Sequence, residues 1–238
     1  MGLFKNEDLF FEVEKLKKSN VNVIVENRIF DFEKNFFDNN LILSELFFCI
    51  LTANFDAEKA IVIQNNLFDC FFNCSLDDIK VSLKNEGYRY PNVRAEYIFL
   101  ARKKFFEEIN VFFGFSSLKS LIDSFYEIKG SDFLRFFFVE NVKGFSFKEA
   151  SHFLRNIGFK EFSIGDFHIV DLLKRYSFLD DSFGIYTSGK NIGRRKSLSK
   201  KDYFFVENIL KNIAFKLSLD LSRLDLYLWF LETGKVLK

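Results

Sequence analysis

Residues 131–156 read SDFLRFFFVENVKGFSFKEASHFLRN, and this stretch decides the fold. An apolar helical pattern opens at Ser131, breaks at 142–146, and is followed by a second helical pattern over 147–156. Gly144 can adopt a positive φ, which lets the chain reverse and leaves backbone N–H groups at the start of the second helix facing outward. Such donors, together with the helix dipole, hold a phosphate without any base preference. The stretch therefore predicts two helices joined by a five-residue hairpin that could grip a polyanion or could be a packing corner.

The rest of the chain repeats the 3.6-residue periodicity of helices and has one Pro and 11 Gly in 238 residues, which predicts an all-α fold. Asp166 and Ser199 are predicted N-caps, as is Ser131 at the start of the stretch above. Helices are expected over 44–53, 56–66, 75–86, 92–108 and 167–176. Two short segments, 21–25 and 182–186, look strand-like.

Composition limits the classes of protein that this chain can be. Apolar residues make up 48 %, which excludes a disordered chain, and 28 % charged residues exclude a membrane bundle. There is no run of 18 apolar residues, so we expect no membrane partner. The three cysteines, Cys49, Cys70 and Cys74, are too few for a disulfide framework, and we expect them to be reduced in a cytoplasmic protein.

The net charge of +1 conceals a split along the chain. Residues 1–181 hold 23 basic and 28 acidic side chains, whereas residues 182–238 hold 11 basic and 5 acidic ones. The densest basic stretch, 190–201, contains no acid and is predicted to be a loop, either merely solvated or tracking phosphates. The 36 Phe are interpreted mainly as core filling, since a stacking platform for bases needs exposed rings in a positive groove.

The hairpin and its surroundings resemble the helix-hairpin-helix family of DNA glycosylases. That family combines a hydrophobic residue, a hairpin Gly, a Lys, an Ala two residues further on, and an Asp about eighteen residues after the Lys. Val142, Gly144, Lys148, Ala150 and Asp166 match this pattern. Ser146 departs from it, because many members have a second Gly there.

More specifically, the chain is similar to the second-type, archaeal-style 8-oxoguanine DNA glycosylase/lyases. The resemblance covers the chain from about residue 40 to its end. It rests on KEASHFLRN at 148–156, CILTAN at 49–54, GYRY at 87–90, NVRAE at 92–96, DLYLW at 225–229 and TGKVLK at 233–238.

The resemblance implies a bifunctional enzyme acting on double-stranded DNA that contains 8-oxoguanine. Lys148, as the free amine, would attack C1′ of the flipped nucleotide, displace the base and form a Schiff base that permits β-elimination. Asp166 would stabilise the developing cationic sugar and assist proton transfers. Taken alone, Lys148 could be a solvated helix residue and Asp166 an N-cap.

The resemblance also implies roles outside the catalytic pair. Trp229 would line the base pocket, and Lys238 would distinguish 8-oxoguanine from guanine. Arg89 and Tyr90 would contact the opposite base and fill the vacated stack. His152, at i+4 from Lys148, either shapes the site's electrostatics or is structural. Phosphate contacts are expected from the hairpin and from the basic stretch, at Gly144, Ser146, Arg194, Arg195 and Lys196.

Three subdomain segments follow from the same resemblance, with the active-site cleft between two helical subdomains. Residues 1–49 would pack with 160–238, and 50–159 would form the other subdomain, ending in the helix-hairpin-helix at about 131–157. We expect a monomer with no cofactor and no metal site, apart from a monovalent cation at the hairpin. Two alternatives remain open: the same fold acting on another lesion or on abasic sites, and a non-catalytic, structure-specific DNA-binding module.

Overall fold

The structure is a computed structural model that describes residues 5–188, 191–194 and 198–238. Helices dominate these residues, which confirms the predicted all-α class. No helix among them is both long enough and apolar enough to cross a membrane. In chain order the elements are α1 (Asn6–Lys17), α2 (Asn20–Asn35), α3 (Asn39–Thr52), α4 (Ala57–Asn66), α5 (Phe68–Asn73), α6 (Leu76–Asn85), α7 (Pro91–Arg102), a π-helical turn (Lys103–Glu107), α8 (Ile109–Phe113), α9 (Leu118–Asn141), α10 (Phe147–Asn156), α11 (Phe167–Arg175), β1 (Ile185–Ser188), β2 (Asn191–Arg194), α12 (Lys200–Leu217) and α13 (Leu221–Thr233).

Contacts divide the chain into two units. The central unit is Phe32–Phe159, and the terminal unit combines the residues up to Asp31 with Lys160–Lys238. The predicted segments 1–49, 50–159 and 160–238 stay a prediction, although the contacts place residues 32–49 in the central unit. The reason is α3, which packs against α4, α7, α9 and α10, all of which belong to the central unit.

Polar caps set most helix starts as predicted. The side chains of Asp56, Ser75, Asp166 and Ser199 each accept a backbone N–H of the first turn of α4, α6, α11 and α12. Ser131 differs, because the helix there begins earlier, at Ser117, and continues across a kink at Gly130, whose φ is 79°. The predicted start therefore corresponds to a break inside α9.

Two expectations about extended structure need correction. Residues 21–25 are not a strand but part of α2, because Val25, Ile29 and Phe32 recur at helical spacing and are all buried. The basic stretch is not simply a loop: β2 pairs antiparallel with β1, with Ile185 opposite Arg194, and α12 begins at Lys200. Lys190, Arg195 and Lys196 lie outside the described residues, and only the backbone of Arg194 is described.

Among the described residues ten phenylalanines are buried, seven are exposed and the others are half-buried, so the interpretation as core filling holds for only part of them. Phe105 is fully buried while Phe106 is 40 % exposed, and Phe37 is 80 % exposed. Successive side chains of a helix lie about 100° apart, so a Phe pair on a surface helix cannot place both rings in the core.

The expectation of three reduced cysteines is wrong for two of them. Cys70 and Cys74 form a disulfide across one turn at the end of α5, whereas Cys49 is buried and takes part in no disulfide. A spacing of four residues on a helix brings their Cα atoms to 4.7 Å, which lies in the range that a disulfide can bridge.

Candidate nucleic-acid interface and active site

The hairpin between α9 and α10 has the predicted conformation. Gly144 takes a φ of 88°, and the Phe145 N–H donates to the Val142 carbonyl at 3.2 Å. Val142 and Phe145 are buried, whereas Lys143, Gly144 and Ser146 are exposed. The hairpin is thus anchored by two apolar side chains and presents its tip to solvent.

The tip of the hairpin rests on α7. A Cβ built on Gly144 would lie 2.7 Å from Cδ2 of Tyr97 and 3.1 Å from Nη1 of Arg94, so only glycine fits between the hairpin and these side chains. Beside it, Nζ of Lys143 lies 3.3 Å from Oε1 of Glu96. Three residues of one helix therefore hold two successive residues of the hairpin.

Ser146, the departure from the family pattern, is the N-cap of α10. Its backbone N–H donates to Oε2 of Glu149 at 3.0 Å, and its hydroxyl donates to the same oxygen. This is the carboxylate half of a capping box. Ser146 therefore offers neither its N–H nor its hydroxyl hydrogen to a phosphate in this state, and its predicted phosphate contact stays a prediction.

Lys148 follows two residues later on α10 and is half-buried. Its Nζ makes no hydrogen bond and no ion pair within the described part of the chain. Ser151 and His152, one turn further on the same helical face, are both buried. Nη1 of the buried Arg135 lies 3.3 Å from Oγ of Ser151, and the His152 ring meets the edge of Phe48 at 5.4 Å between centroids.

The far end of α10 is fixed by a buried polar network. The Asn156 side chain donates to Oε2 of Glu45 at 2.9 Å, and Nε2 of Gln64 contacts the other oxygen of Glu45 at 3.3 Å. Every residue from 149 to 156 is buried. The helix that carries Lys148 is thus held rigidly on α3 and α9, which α10 contacts most among the elements of the central unit.

Arg89 and Tyr90 lie just before α7, with Pro91 at its first position as predicted. Tyr90 is 46 % exposed, and the Arg89 guanidinium lies 5.0 Å from the centre of its ring. An exposed ring beside an exposed cation fits the predicted wedge and opposite-base pair in chemistry. Their roles stay a prediction.

Arg94 connects the tip of the hairpin to the end of α3, a connection that sequence reasoning missed. Its Nη2 donates to the Ala53 carbonyl at 2.9 Å, while the hydroxyl of the neighbouring Tyr88 donates to the Leu51 carbonyl at 2.6 Å. Burial raises the pKa of the Tyr88 phenol, and the positive charge of Arg94 partly offsets this. The segment containing Arg94 stood out in the sequence, but nothing marked this residue or Tyr97 as the platform of the hairpin.

Asp166 lies in the terminal unit as the N-cap of α11. Its Oδ1 accepts the N–H groups of His168 at 2.9 Å and Ile169 at 3.1 Å, and Oδ2 has no hydrogen-bond partner among the described residues. A Cβ on the preceding Gly165 would lie 3.3 Å from the Tyr203 ring, whose hydroxyl donates to the Ser163 carbonyl. The capping role is confirmed, and one carboxylate oxygen is left over.

Trp229 and His168 meet in the same unit, edge to face, with ring centroids 5.2 Å apart. The indole Nε1 of Trp229 is buried and has no hydrogen-bond partner within the described residues. Gly234, with a φ of 73°, ends α13 and turns the last four residues away, and Lys238 is half-buried there. His168 is thus a ring partner of Trp229, a contact that no sequence pattern predicts.

Lys148 belongs to the central unit and Asp166 to the terminal unit, so their pairing stays a prediction from the sequence. Within the units, Gly144 meets the α7 platform, Arg89 meets Tyr90, and Trp229 meets His168. In the described part of the chain no group of three or more His, Cys, Asp or Glu is placed to hold a metal.

Comparisons with known proteins agree with this arrangement. The family profile described as 8-oxoguanine DNA glycosylase matches residues 25–219. The chain is 43 % identical to the 8-oxoguanine DNA glycosylase/AP lyase of Korarchaeum cryptofilum, over 98 % of this chain and 99 % of that protein. It is 40 % identical to that of Methanocaldococcus jannaschii, over 97 % and 99 %.

Solved structures give the same result. The crystal structure of the Methanocaldococcus jannaschii 8-oxoguanine glycosylase/lyase in complex with a 15mer DNA containing 8-oxoguanine has a TM-score of 0.79 and 38 % identity, covering 97 % of this chain and 99 % of that one. The 8-oxoguanine DNA glycosylase of Thermotoga maritima also has a TM-score of 0.79, with 34 % identity over 98 % and 100 %.

Proposed function

Because the chain belongs to the 8-oxoguanine DNA glycosylase family, we propose that it excises 8-oxoguanine from duplex DNA and cleaves the strand by β-elimination. The observation that carries the proposal is Lys148, a half-buried amine without a partner in the described residues, on the helix that follows the hairpin. The protein acts as a monomer on a nucleotide extruded from the duplex, since the glycosidic bond is inaccessible inside the stack.

Lys148 is the nucleophile of the proposed reaction. Its lone pair forms a bond to C1′ while the C1′–N9 bond breaks, and the base leaves with that electron pair and takes up a proton. The new ammonium then loses one proton, and its lone pair forms a C1′=Nζ double bond while the bond from C1′ to the ring oxygen breaks; the ring oxygen takes up a proton, which leaves a protonated Schiff base between Nζ and C1′. Loss of a proton from C2′ expels the 3′ phosphate and cuts the strand.

Asp166 supplies the carboxylate of the mechanism. Its Oδ1 is occupied by two N–H groups of α11, so Oδ2 is the oxygen that faces the developing positive charge of the sugar and exchanges protons. The two N–H donors fix the plane of the carboxylate.

Base recognition is assigned to Trp229 and Lys238. The N7–H of 8-oxoguanine is a donor that guanine lacks, so an acceptor at this position rejects guanine. We assign this acceptor to a main-chain oxygen of Lys238. The unsatisfied Trp229 N–H is a donor that a carbonyl of the base can satisfy.

Arg89, Tyr90 and the hairpin bind the rest of the duplex in this proposal. Tyr90 fills the space of the extruded base while Arg89 contacts the opposite base. The exposed Gly144 tip faces a phosphate, and Arg194, Arg195 and Lys196 contribute positive charge along the backbone.

No cofactor takes part in this chemistry, because protein side chains supply both the nucleophile and the carboxylate. A monovalent cation at the hairpin remains a proposal, with the carbonyls of Lys143 and Gly144 as its ligands, since neither accepts a hydrogen bond from the described residues. Replacing potassium by tetramethylammonium at equal ionic strength should weaken DNA binding if the cation is bound there.

Borohydride reduction tests the proposal directly. It should trap a covalent adduct between the protein and a duplex containing 8-oxoguanine, and none with an undamaged duplex. Binding without any adduct would instead indicate a structure-specific DNA-binding module. In a lesion panel, deletion of Lys238 should lower the ratio of 8-oxoguanine to guanine excision, and an unchanged ratio would contradict the proposed recognition.

A further inference from the structure

A π-helical turn interrupts the helix that the sequence predicts to be regular over 92–108. In this turn, Lys103–Glu107, the N–H of Glu108 donates to the Lys103 carbonyl at 2.8 Å, five residues back. The wider turn rotates every later side chain relative to α7, and π-helical turns of this kind are frequent at functional sites. The side chain whose position depends on this turn is that of Lys104.

The turn directs Lys104 onto the end of α9. Its Nζ donates to Oδ1 of Asn141 at 2.7 Å and lies 3.4 Å from the Asn141 carbonyl oxygen. The Asn141 amide in turn donates to the Phe137 carbonyl at 2.9 Å. The last carbonyls of a helix lack intrahelical partners, and a cation there is favoured by the dipole. The last residue before the hairpin is therefore held by a side chain from another element.

Three aromatic rings keep Lys104 in this place. Its ammonium lies 5.3 Å from the ring centre of Phe113 and 5.9 Å from those of Phe105 and Phe112. Phe113 in turn packs edge to face on Phe137 of α9, with centroids 5.2 Å apart. Ring faces attract a cation, and the partial burial that they impose lowers the pKa of the Lys104 amine.

We propose that Lys104 is a positioning residue: by holding Asn141 it sets where the hairpin begins, and thereby where its phosphate-binding groups lie relative to Lys148. Tyr97 and Glu96 fix the tip of the hairpin, whereas Lys104 fixes its entry. The consequence for DNA binding rests on the proposed function, but the placement of the hairpin is a property of the free protein.

Lys103 is a matched control, since it is adjacent to Lys104 and carries the same charge. Its side chain is exposed, and its Nζ lies 3.5 Å from Oε1 of Glu108 on the surface. Lys104→Met should raise both KM and the Kd for a duplex with a tetrahydrofuran abasic analogue about tenfold, with the single-turnover rate at saturating DNA within about twofold of wild type. Lys103→Met should stay within about twofold throughout, and Lys104→Arg, which keeps the charge and the donors, should recover most of the loss.

A readout without DNA separates this inference from the proposed function. The amides of Phe145 and Ser146 are hydrogen-bonded, so their hydrogen exchange reports the hairpin directly. Hydrogen exchange at these two amides should be about tenfold faster in Lys104→Met than in Lys103→Met. If Lys104→Met folds poorly, Asn141→Ala takes its place, since it removes the Oδ1 acceptor and should show the same acceleration.

Faster exchange in a protein that makes no adduct with damaged DNA would support the positioning role and refute the proposed function. Equal exchange in the two methionine variants would overturn the positioning role whatever the activity. An equal rise of KM in both variants would also overturn it, because loss of positive charge alone would then account for the effect.

Discussion

The two units present their candidate groups differently. In the central unit the groups next to Lys148 are held by their neighbours: Gly144 rests on Tyr97, Ser146 is bound by Glu149, and Nη2 of Arg94 donates to the Ala53 carbonyl, although Nε of Arg94 is buried without a hydrogen-bond partner among the described residues. In the terminal unit, Oδ2 of Asp166 and the buried Nε1 of Trp229 have no partner within the described residues. The hairpin of the central unit is thus held by its neighbours, whereas Asp166 and Trp229 of the terminal unit keep an acceptor and a donor that a ligand can satisfy.

This difference indicates a division of labour. Contacts with phosphates carry no sequence information directly, so a hairpin that its neighbours hold in one place suits them. A damaged base must be distinguished from a normal one by hydrogen bonds, and groups that stay unsatisfied until the right base arrives give that discrimination. Lys148 is the exception in the central unit, since it is the amine that the surrounding contacts leave free.

The largest expected effect is that of replacing Lys148. Lys148→Gln should abolish the borohydride-trapped adduct and lower strand cleavage by roughly 10³-fold or more, because loss of a nucleophile removes the covalent route. Binding to an abasic-analogue duplex should remain within about threefold. Lys80→Gln, on the surface of α6, serves as the control and should cleave normally. An undiminished adduct in Lys148→Gln would show that Lys148 is not the nucleophile and would contradict the proposed mechanism.

The next effect tests whether the hairpin depends on its platform. Gly144→Ala should lower the free energy of unfolding by about 1–2 kcal/mol through the positive φ alone, and should weaken DNA binding further because its Cβ would strike Tyr97. Gly114→Ala is a matched control, since Gly114 has a φ of 73° and open space around its Cβ. Equal DNA affinity in the two variants would show that the contact with Tyr97 does not matter.

A smaller effect tests the unsatisfied groups of the terminal unit. Trp229→Phe keeps an aromatic ring but removes the N–H, and should lower kcat/KM on 8-oxoguanine about tenfold, the value of one hydrogen bond of about 1.4 kcal/mol. Cleavage at a preformed abasic site needs no base recognition and should not change. If both reactions fall equally, the indole shapes the site as a whole rather than contacting the base.

Much of this arrangement was predictable from local chemistry. The positive φ of Gly144, the caps at Asp56, Ser75, Asp166 and Ser199, and the span of α10 follow from residue types at fixed spacings. The Ser146–Glu149 spacing is a capping-box signature that could also have revealed the occupied N–H. The contacts of Tyr97 and Lys104 were not predictable, because Tyr97 meets Gly144, 47 positions away, and Lys104 meets Asn141, 37 positions away. The contact of Lys104 also depends on a π-helical turn.

The smallest expected effect tests whether the terminal unit opens readily to solvent throughout or only at its candidate site. Away from that site, Arg223 binds Glu26 through two hydrogen bonds of 2.8 and 2.7 Å, and the buried Tyr227 hydroxyl donates to Asn22. Burial raises the pKa of Tyr227 to about 12, so this phenol stays neutral in the folded protein at a pH where it ionises in the unfolded chain.

The contribution of Tyr227 to the free energy of unfolding should therefore be fully present below pH 10. Between pH 10 and about 12 it should fall by up to about 1.4 kcal/mol per pH unit. Tyr227→Phe should lose about 1 kcal/mol at pH 8 through the missing hydrogen bond, and its urea-unfolding free energy should fall less steeply than that of wild type above pH 10. Parallel pH profiles would mean that the Tyr227 site opens readily to solvent. The unsatisfied Trp229 and Asp166 groups would then reflect a loose unit rather than a site awaiting its ligand.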